Sequence, residues 1–429
     1  MNQVLDPITP DVGIAGDTPW RARFFAIWGG QALSLIGSAL TQFVLVWWIA
    51  QTTGSAGAVA TAGIMALLPQ ALFSPLAGAV ADRHSRRAIM IGADTITALC
   101  MVALIALFAS GRVALWHVYG LMLIRSSMQA FQSPAAAAST AMLVPASWLS
   151  RAAGLNQLIL GLMSVAAAPL GALALAWLPM QGALLIDVIT ATLGIVPLLI
   201  YRIPQRHIAP EARVGMWADV RAGIGLVLGH RGLVMLYGLQ ALLVLTIVPA
   251  FVLTPLLVQQ HFGGGVNEVA LMEGGGGLGM ILGGVAVSLI AIRRRIMVVL
   301  ITYAASCAAV ALAALAPSSM LWLAVAWWFV SGVTYSLGNA PLLATLQTVI
   351  PNHLQGRALS LFTMIGAGAG PLGLLAVGPL SDALGIRAVF IGGSLLAGLV
   401  CLLGLLSRSL LDLETTPADA PALRQTTGA

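Results

Sequence analysis

The residues of this chain that could do chemistry are few and unevenly spaced. The stretch Gly78 to Gly92, GAVADRHSRRAIMIG, packs Asp82, Arg83, His84, Arg86 and Arg87 into six consecutive positions, between runs that are almost wholly apolar. Three further charges stand well inside such runs: Asp94, Arg125 and Glu273. If the runs cross a bilayer, each charge costs at least about 2.5–3.5 kcal/mol, which makes it a functional candidate by default. Arg125 reads either as a functional charge or as one paired with an acid only to lock helices. Asp94 lies one to two turns past the island and reads either as a partner for its arginines or as a proton-transfer group. Glu273 is followed by glycines at 274–277, 279, 283 and 284. A carboxyl in so dry a setting suits a proton carrier; the alternative is a residue wetted from the outer side. Asp187 sits near the end of its run and reads as interfacial.

The elements that must hold these groups follow from composition. The 429 residues are 59% hydrophobic and 8% charged, against about 45–50% and 25% in soluble domains. A globular protein this poor in charge could not cover its own surface, so the solvent is lipid. Continuous rather than alternating apolar runs select helices. The fold class is therefore all-α membrane protein, with spans near 24–50, 57–80, 88–109, 114–143, 154–176, 181–201, 233–259, 266–290, 297–316, 319–349, 358–381 and 387–406. Twelve spans fit the basic residues. All twenty are arginine, and with a cytoplasmic N-terminus seventeen fall on the inner side, two (Arg112, Arg387) on the outer side, and Arg125 within a span. The positive-inside rule then puts both termini in the cytoplasm. The polar first twenty residues lack the apolar core of a secretory signal, so the first span is expected to direct its own insertion into a bacterial-type plasma membrane. The net charge of +6 reflects inner-face arginines on anionic lipid, not nucleic acid.

The chain also repeats. Pro134, Pro145 and Arg151 in and after span four are echoed by Pro341, Pro351 and Arg357 in and after span ten, an offset of 206–207. APLGAL at 168–173 is echoed by GPLGLL at 370–375. The expected organisation is a cytoplasmic tail (1–20), a six-helix bundle (21–201), a cytoplasmic linker (202–232), a second six-helix bundle (233–406) and a cytoplasmic tail (407–429). A parallel repeat of this kind is a transporter arrangement with its binding site near the midplane between halves.

Six plus six spans, a long link, and G-x-x-A-D-R-x-S-R-R between spans two and three resemble the major facilitator superfamily over residues 21–406. The family's loop signature is close to G-x-L-A-D-R-x-G-R-[KR]. Gly78, Ala81, Asp82, Arg83, Arg86 and Arg87 match it, while Val80 and Ser85 depart from it. The resemblance implies an alternating-access transporter. In it Gly78, Asp82, Arg83, Arg86 and Arg87 form a conformational latch that joins the halves when the transporter faces outward. Arg125, mid-way along span four, resembles the arginine that exporters of the superfamily carry there, which implies proton coupling. SVAAAPLGAL in span five is similar to the antiporters' glycine-proline motif, with Ala168 at a glycine position. The run 131–158 is similar to the macrolide-efflux and enterobactin-exporter branch.

Polar side chains mark where a cavity would lie. Gln31, Ser34, Ser38, Thr41 and Gln42 share one face of span one. Gln129 and Gln132, Asn156 and Gln157, Gln240, and Tyr335 with Asn339 are weaker candidates. Each is either a substrate contact or an interhelical hydrogen bond. Such a cavity is mostly apolar and suits an amphipathic small molecule, drug-like or siderophore-like. The expectation is a proton-coupled exporter, acting as a monomer in the lipid bilayer with a small-molecule substrate and protons as partners; the alternatives are an uptake or facilitative carrier of the same fold, or a non-transporting scaffold or receptor. No enzyme is expected, because no catalytic constellation of His, Ser or carboxylates appears. No cofactor, metal or nucleic acid is expected either. The glycine run 274–284 lacks the strand and the Lys-Ser/Thr of a nucleotide loop, and Cys100, Cys307 and Cys401 all fall inside spans.

Overall fold

A computed structural model describes residues 20–203, 216–290 and 292–414. Its first half runs α1 (Trp20–Thr53), α2 (Ala56–Arg83), α3 (Arg86–Ala109), α4 (Leu115–Leu143), α5 (Leu149–Trp177) and α6 (Met180–Ile200). A linker helix α7 (Met216–Gly229) follows. The second half runs α8 (Arg231–His261), α9 (Val266–Leu289), α10 (Arg295–Leu315), α11 (Leu321–Val349), α12 (Asn352–Leu384) and α13 (Ile386–Gly404). There is no strand among the described residues. Among the described residues, eleven helices are long and apolar enough to cross a membrane. The twelfth, α4, is 29 residues long and falls short in apolarity alone, because it carries Arg125 with serines and glutamines.

Local chemistry explains the breaks. Gly54 turns the chain at φ +59°, and the Ser55 side chain then caps α2 by accepting from the Ala58 N–H. At the charged island Ser85 caps α3 by accepting from the Ala88 N–H. Serine at an N-cap satisfies one of the helix's orphan donors, which explains why this chain holds serine where the family signature has glycine.

The halves use one packing plan. In the first, α2 and α3 each pack on α4, α3 packs on α6, and α1 packs on α5 and α6. In the second, α9 and α10 pack on α11, α10 packs on α13, and α8 packs on α12 and α13. The halves touch chiefly through α2 on α12 and α5 on α9, pairings that interchange under the repeat. The chain is thus a multi-pass membrane protein of two pseudo-symmetric six-helix bundles.

The apolar cores show where the halves join. The largest cluster draws Leu40–Ala62, Ala168–Leu184, Ala250–Met272 and Val377–Phe390 together from both bundles, at the end with few arginines. At the arginine-rich end there are separate clusters, one around Phe24, Met90 and Leu143, the other around Leu236, Leu300 and Leu346. The two bundles share a core at one end and part at the other. Across the joined end the Gln260 amide donates to the Gly54 carbonyl at 2.7 Å.

The segments expected as the linker and the C-terminal tail hold structure. The linker contains α7, and past residue 406 the turn Arg408–Glu414 folds back on the second bundle. The apolar i, i+3 pair Leu410 and Leu413 is buried there, which is what fastens it. Residues 1–19, 204–215 and 415–429 of the expected tails and linker lie outside the described residues.

Candidate functional site

Two helices of the first bundle, α1 and α6, meet closely because glycines let them. A Cβ at Gly30 on α1 would lie 2.8 Å from the Leu193 carbonyl oxygen of α6, and one at Gly194 on α6 would lie 3.2 Å from the Gly30 carbonyl. That approach brings Ser38 to Asp187, its hydroxyl donating to Oδ1 at 3.0 Å. Arg125 reaches over from α4. Its Nη2 lies 3.5 Å from Asp187 Oδ2 and donates to the Ser38 carbonyl. Arg125 Nη1 and Asp187 Oδ2 have no hydrogen-bond partner among the described residues, so this buried pair is not saturated. The expectation that Asp187 is interfacial is overturned: it is 0% exposed. α6 begins at Met180, and seven residues at 1.5 Å each carry Asp187 about 10 Å into the span.

About 10 Å along α1 toward the arginine-rich end lies a second cluster. Asp94, 3% exposed, accepts from Gln31 Nε2 at 3.0 Å and from Gln132 Nε2 at 2.5 Å. Gln132 Nε2 also donates to Gln31 Oε1 at 2.9 Å. Asp94 therefore joins two amides rather than the arginines of the island. Those bond elsewhere within the bundle. Arg86 Nη1 donates to the Ala138 carbonyl of α4 at 3.2 Å. Arg87 donates to the carbonyls of Leu198 and Leu199 at the end of α6, the latter at 2.9 Å. Arg83 is exposed, Gly78 has open space around it, and the Asp82 side chain lies outside what the structure describes.

A cavity of about 490 Å³ occupies the arginine-rich half of this bundle. Gln31, Gln129, Gln132 and Asn156 are on its wall, among mostly apolar neighbours that include Trp28. The Trp28 N–H donates to Asn156 Oδ1 at 2.9 Å, and Gln129 Nε2 donates to Ser133 Oγ at 3.1 Å. The other residues of the α1 stripe are not on the wall. Ser34 is buried against Gly194, Ser38 turns to Asp187, Thr41 is buried and Gln42 is half-buried. Gln157 is exposed.

In the second bundle Tyr335 and Asn339 gather around a residue the sequence did not single out. Tyr303 donates its hydroxyl to Asn339 Oδ1 at 3.4 Å, and its ring stacks on Tyr335 with centroids 5.6 Å apart. The repeat relates this group to the first. Aligning Arg86 with Arg295 puts Asp94 on Tyr303 and Gln31 on half-buried Gln240, while aligning Pro134 with Pro341 puts Gln132 on Asn339. The acid of one half is a phenol in the other.

Glu273 is half-buried on α9. Gly274 and Gly277 beside it pack on α5, and Gly276, Gly279 and Gly283 pack on α11. It sits on the strip between those faces, opposite the exposed Leu271, Leu278 and Leu282. Among the described residues it has no hydrogen bond or ion pair. Cys100, Cys307 and Cys401 are free and buried. No cluster of metal-ligating side chains occurs among the described residues.

Two matched helical bundles, a cavity in the arginine-rich half of one of them and buried charges beside it define a polytopic transport protein. Residues 27–374 match the sequence profile of the Major Facilitator Superfamily, and the chain belongs to that family, whose members are transporters and not enzymes. It is 28% identical over 374 residues to macrolide efflux protein A of Streptococcus pyogenes, covering 87% of this chain and 92% of that one. It is 26% identical over 391 residues to multidrug efflux pump Tap of Mycobacterium tuberculosis, covering 86% and 90%. Solved structures with the same fold include a bacterial homolog of the human lysosomal transporter Spinster in an inward-facing, unoccupied conformation (TM-score 0.68, 16% identity, 94% of this chain and 98% of that one). A D-xylose-proton symporter has a TM-score of 0.63 at 15% identity, covering 89% and 96%.

Proposed function

We propose that this protein is a proton-coupled exporter of amphipathic small molecules, working by alternating access in a bacterial-type plasma membrane with both termini cytoplasmic. The observation that carries the reading is the largely apolar cavity on one side of the first bundle, with the Gln31–Asp94–Gln132 cluster at its wall and the Arg125–Asp187 pair behind it. Under the positive-inside rule the arginine-rich end is cytoplasmic, so the cavity opens inward and the shared core seals the outside. The efflux pumps to which the chain is similar favour export, and their names favour drug-like substrates. Proton exchange falls on Asp94 and on the unsaturated Arg125–Asp187 pair, with Glu273 as a further carboxyl between the halves. Gly78, Asp82 and the loop arginines latch the cytoplasmic side when the cavity faces out. Gln240, Tyr335 and Asn339 meet the substrate from the second bundle.

The test uses inverted membrane vesicles energised to an acidic interior, with a pH-sensitive dye. Macrolides, cationic dyes, lipophilic acids and catecholate siderophores are added in turn. Gradient loss on adding one compound, absent in Arg125→Ala, supports the reading. No response to any compound, with the folded protein shown to be present, overturns it.

A further inference from the structure

The hydrogen bonding of the cavity wall fixes what kind of polar group it can accept. Gln31 and Gln132 each carry one amide nitrogen with two hydrogens and one amide oxygen. Gln31 Nε2 donates to Asp94 Oδ2 and, at 3.3 Å, to the Gly194 carbonyl. Gln132 Nε2 donates to Asp94 Oδ1 and to Gln31 Oε1. Every amide hydrogen of the pair is thus directed into the bundle. An ionised carboxylate only accepts, so Asp94 dictates this orientation of both amides. What the pair leaves for the cavity is acceptor, Gln132 Oε1, which has no partner among the described residues. Its carbonyl is polarised from behind, because chained hydrogen bonds strengthen one another in a low dielectric.

The charge balance points the same way. None of the described residues on the cavity wall is charged, and Asp94 lies directly behind two of them. Arg125 is paired with Asp187. Arg86 and Arg87 keep their charge, but Arg86 bonds the Ala138 carbonyl, six residues or about 9 Å along α4 from Gln132, and Arg87 bonds the carbonyls at the end of α6. No charged residue follows Arg23 on α1. Trp28, one turn before Gln31 and also on the wall, has spent its N–H on Asn156 and so offers ring surface, which attracts cations.

We propose that the cavity selects its substrate by a protonated amine: the ammonium N–H donates to Gln132 Oε1 beside the Trp28 ring, and Asp94 supplies the countercharge through the amide. The inference rests on the reading of this cavity as the transport site, and it narrows the amphipathic class to lipophilic amines. Gln132 is then a specificity residue, and Asp94 and Gln31 position it.

The experiment is equilibrium binding to the purified protein in lipid nanodiscs, with no gradient. The probes are dansylcadaverine, its neutral N-acetyl derivative, and a dansyl amino acid of similar chain length as the anion. The wild type should bind the amine at least about tenfold more tightly than the acetyl derivative, the worth of one charge-assisted hydrogen bond. Gln132→Leu and Asp94→Asn should each bring that ratio close to one. Gln132→Glu, which puts the charge on the wall itself, should keep or raise it. If Asp94→Asn does not fold, Gln132→Leu decides alone. The inference is overturned if the neutral or anionic probe binds the wild type as tightly as the amine, or if the preference survives Gln132→Leu. Because the assay needs neither a gradient nor direction, absence of export in vesicles overturns the exporter reading and leaves this one standing.

Discussion

Arg125 and Asp187, on helices that adjoin α1 from different sides, meet at 3.5 Å inside the first bundle, with Asp187 fully buried. Removing one partner of a buried pair leaves an uncompensated charge and costs about 3–5 kcal/mol, whereas replacing both by apolar residues is often neutral. Arg125→Met and Asp187→Leu should each lower the thermal unfolding temperature in detergent, and the double variant should recover most of the loss. Transport should fail in all three. Stability of either single variant equal to wild type would show that the pair is hydrated rather than buried.

Glycines decide how closely α9 and α11 approach. A Cβ on Gly332 would run into the Gly276 carbonyl and lie 3.0 Å from the Met280 nitrogen. Backbone cannot yield as a flexible side chain can, so Gly332→Ala should cost about 1–3 kcal/mol, read as a lowered unfolding temperature. Gly78→Ala and Gly92→Ala, inside helices with open surroundings, should not lower that temperature, since alanine is the better helix former. Any effect of Gly78→Ala on transport would then belong to the other conformation.

The joined end offers a reporter of opening. A Cβ on Gly378 would lie 3.1 Å from Gly57 Cα, so α2 and α12 need ease apart by only a few tenths of an ångström to hold a disulfide. With the native cysteines replaced by alanine, the pair Gly57→Cys and Gly378→Cys should cross-link under mild oxidation and stop transport, and reductant should restore it. Full transport after complete cross-linking would mean that this end does not open.

The turn after α13 should contribute measurable stability. The Glu414 carboxylate accepts from the Ile296 N–H in the first turn of α10, where a negative charge also suits the helix dipole. Loss of such a cap costs about 0.5–2 kcal/mol. Glu414→Ala should lower the unfolding temperature modestly. Truncation after Ser407, which also strips the buried Leu410 and Leu413, should lower it more.

Much of the fold was legible because lipid imposes long apolar runs, and the arginine distribution fixed their number and alternation. Arg125 was legible as a buried charge for the same reason. Its partner was not. Distance along a span tells depth, yet Asp187 was read from its nearness to the span end, and only the glycine-mediated contact of α1 with α6 turns it toward Arg125. Gln31, Asp94 and Gln132 were each visible, but their union depends on the rotation of three helices, which apolar runs with little amphipathicity do not encode. Tyr303 went unnoticed because a buried tyrosine reads as core; the offset of the repeat, applied to Asp94, points to it. Glu273, without a hydrogen bond or ion pair among the described residues, and the loop residues Gly78, Arg83, Arg86 and Arg87 are not joined to either cluster in this structure.

The shared core at one end has an electrical meaning. A water-accessible cavity carries the potential of the compartment it opens to, so the membrane voltage falls mostly across the dry plug formed around Leu40, Leu184, Leu256 and Phe390. One elementary charge moved through 100 mV is worth about 2.3 kcal/mol. On the proposed cycle, a cation settling at Gln132 would have traversed almost none of that field. The voltage would then act little on binding and strongly on the rocking of the bundles, when the plug changes sides around an occupant that hardly moves.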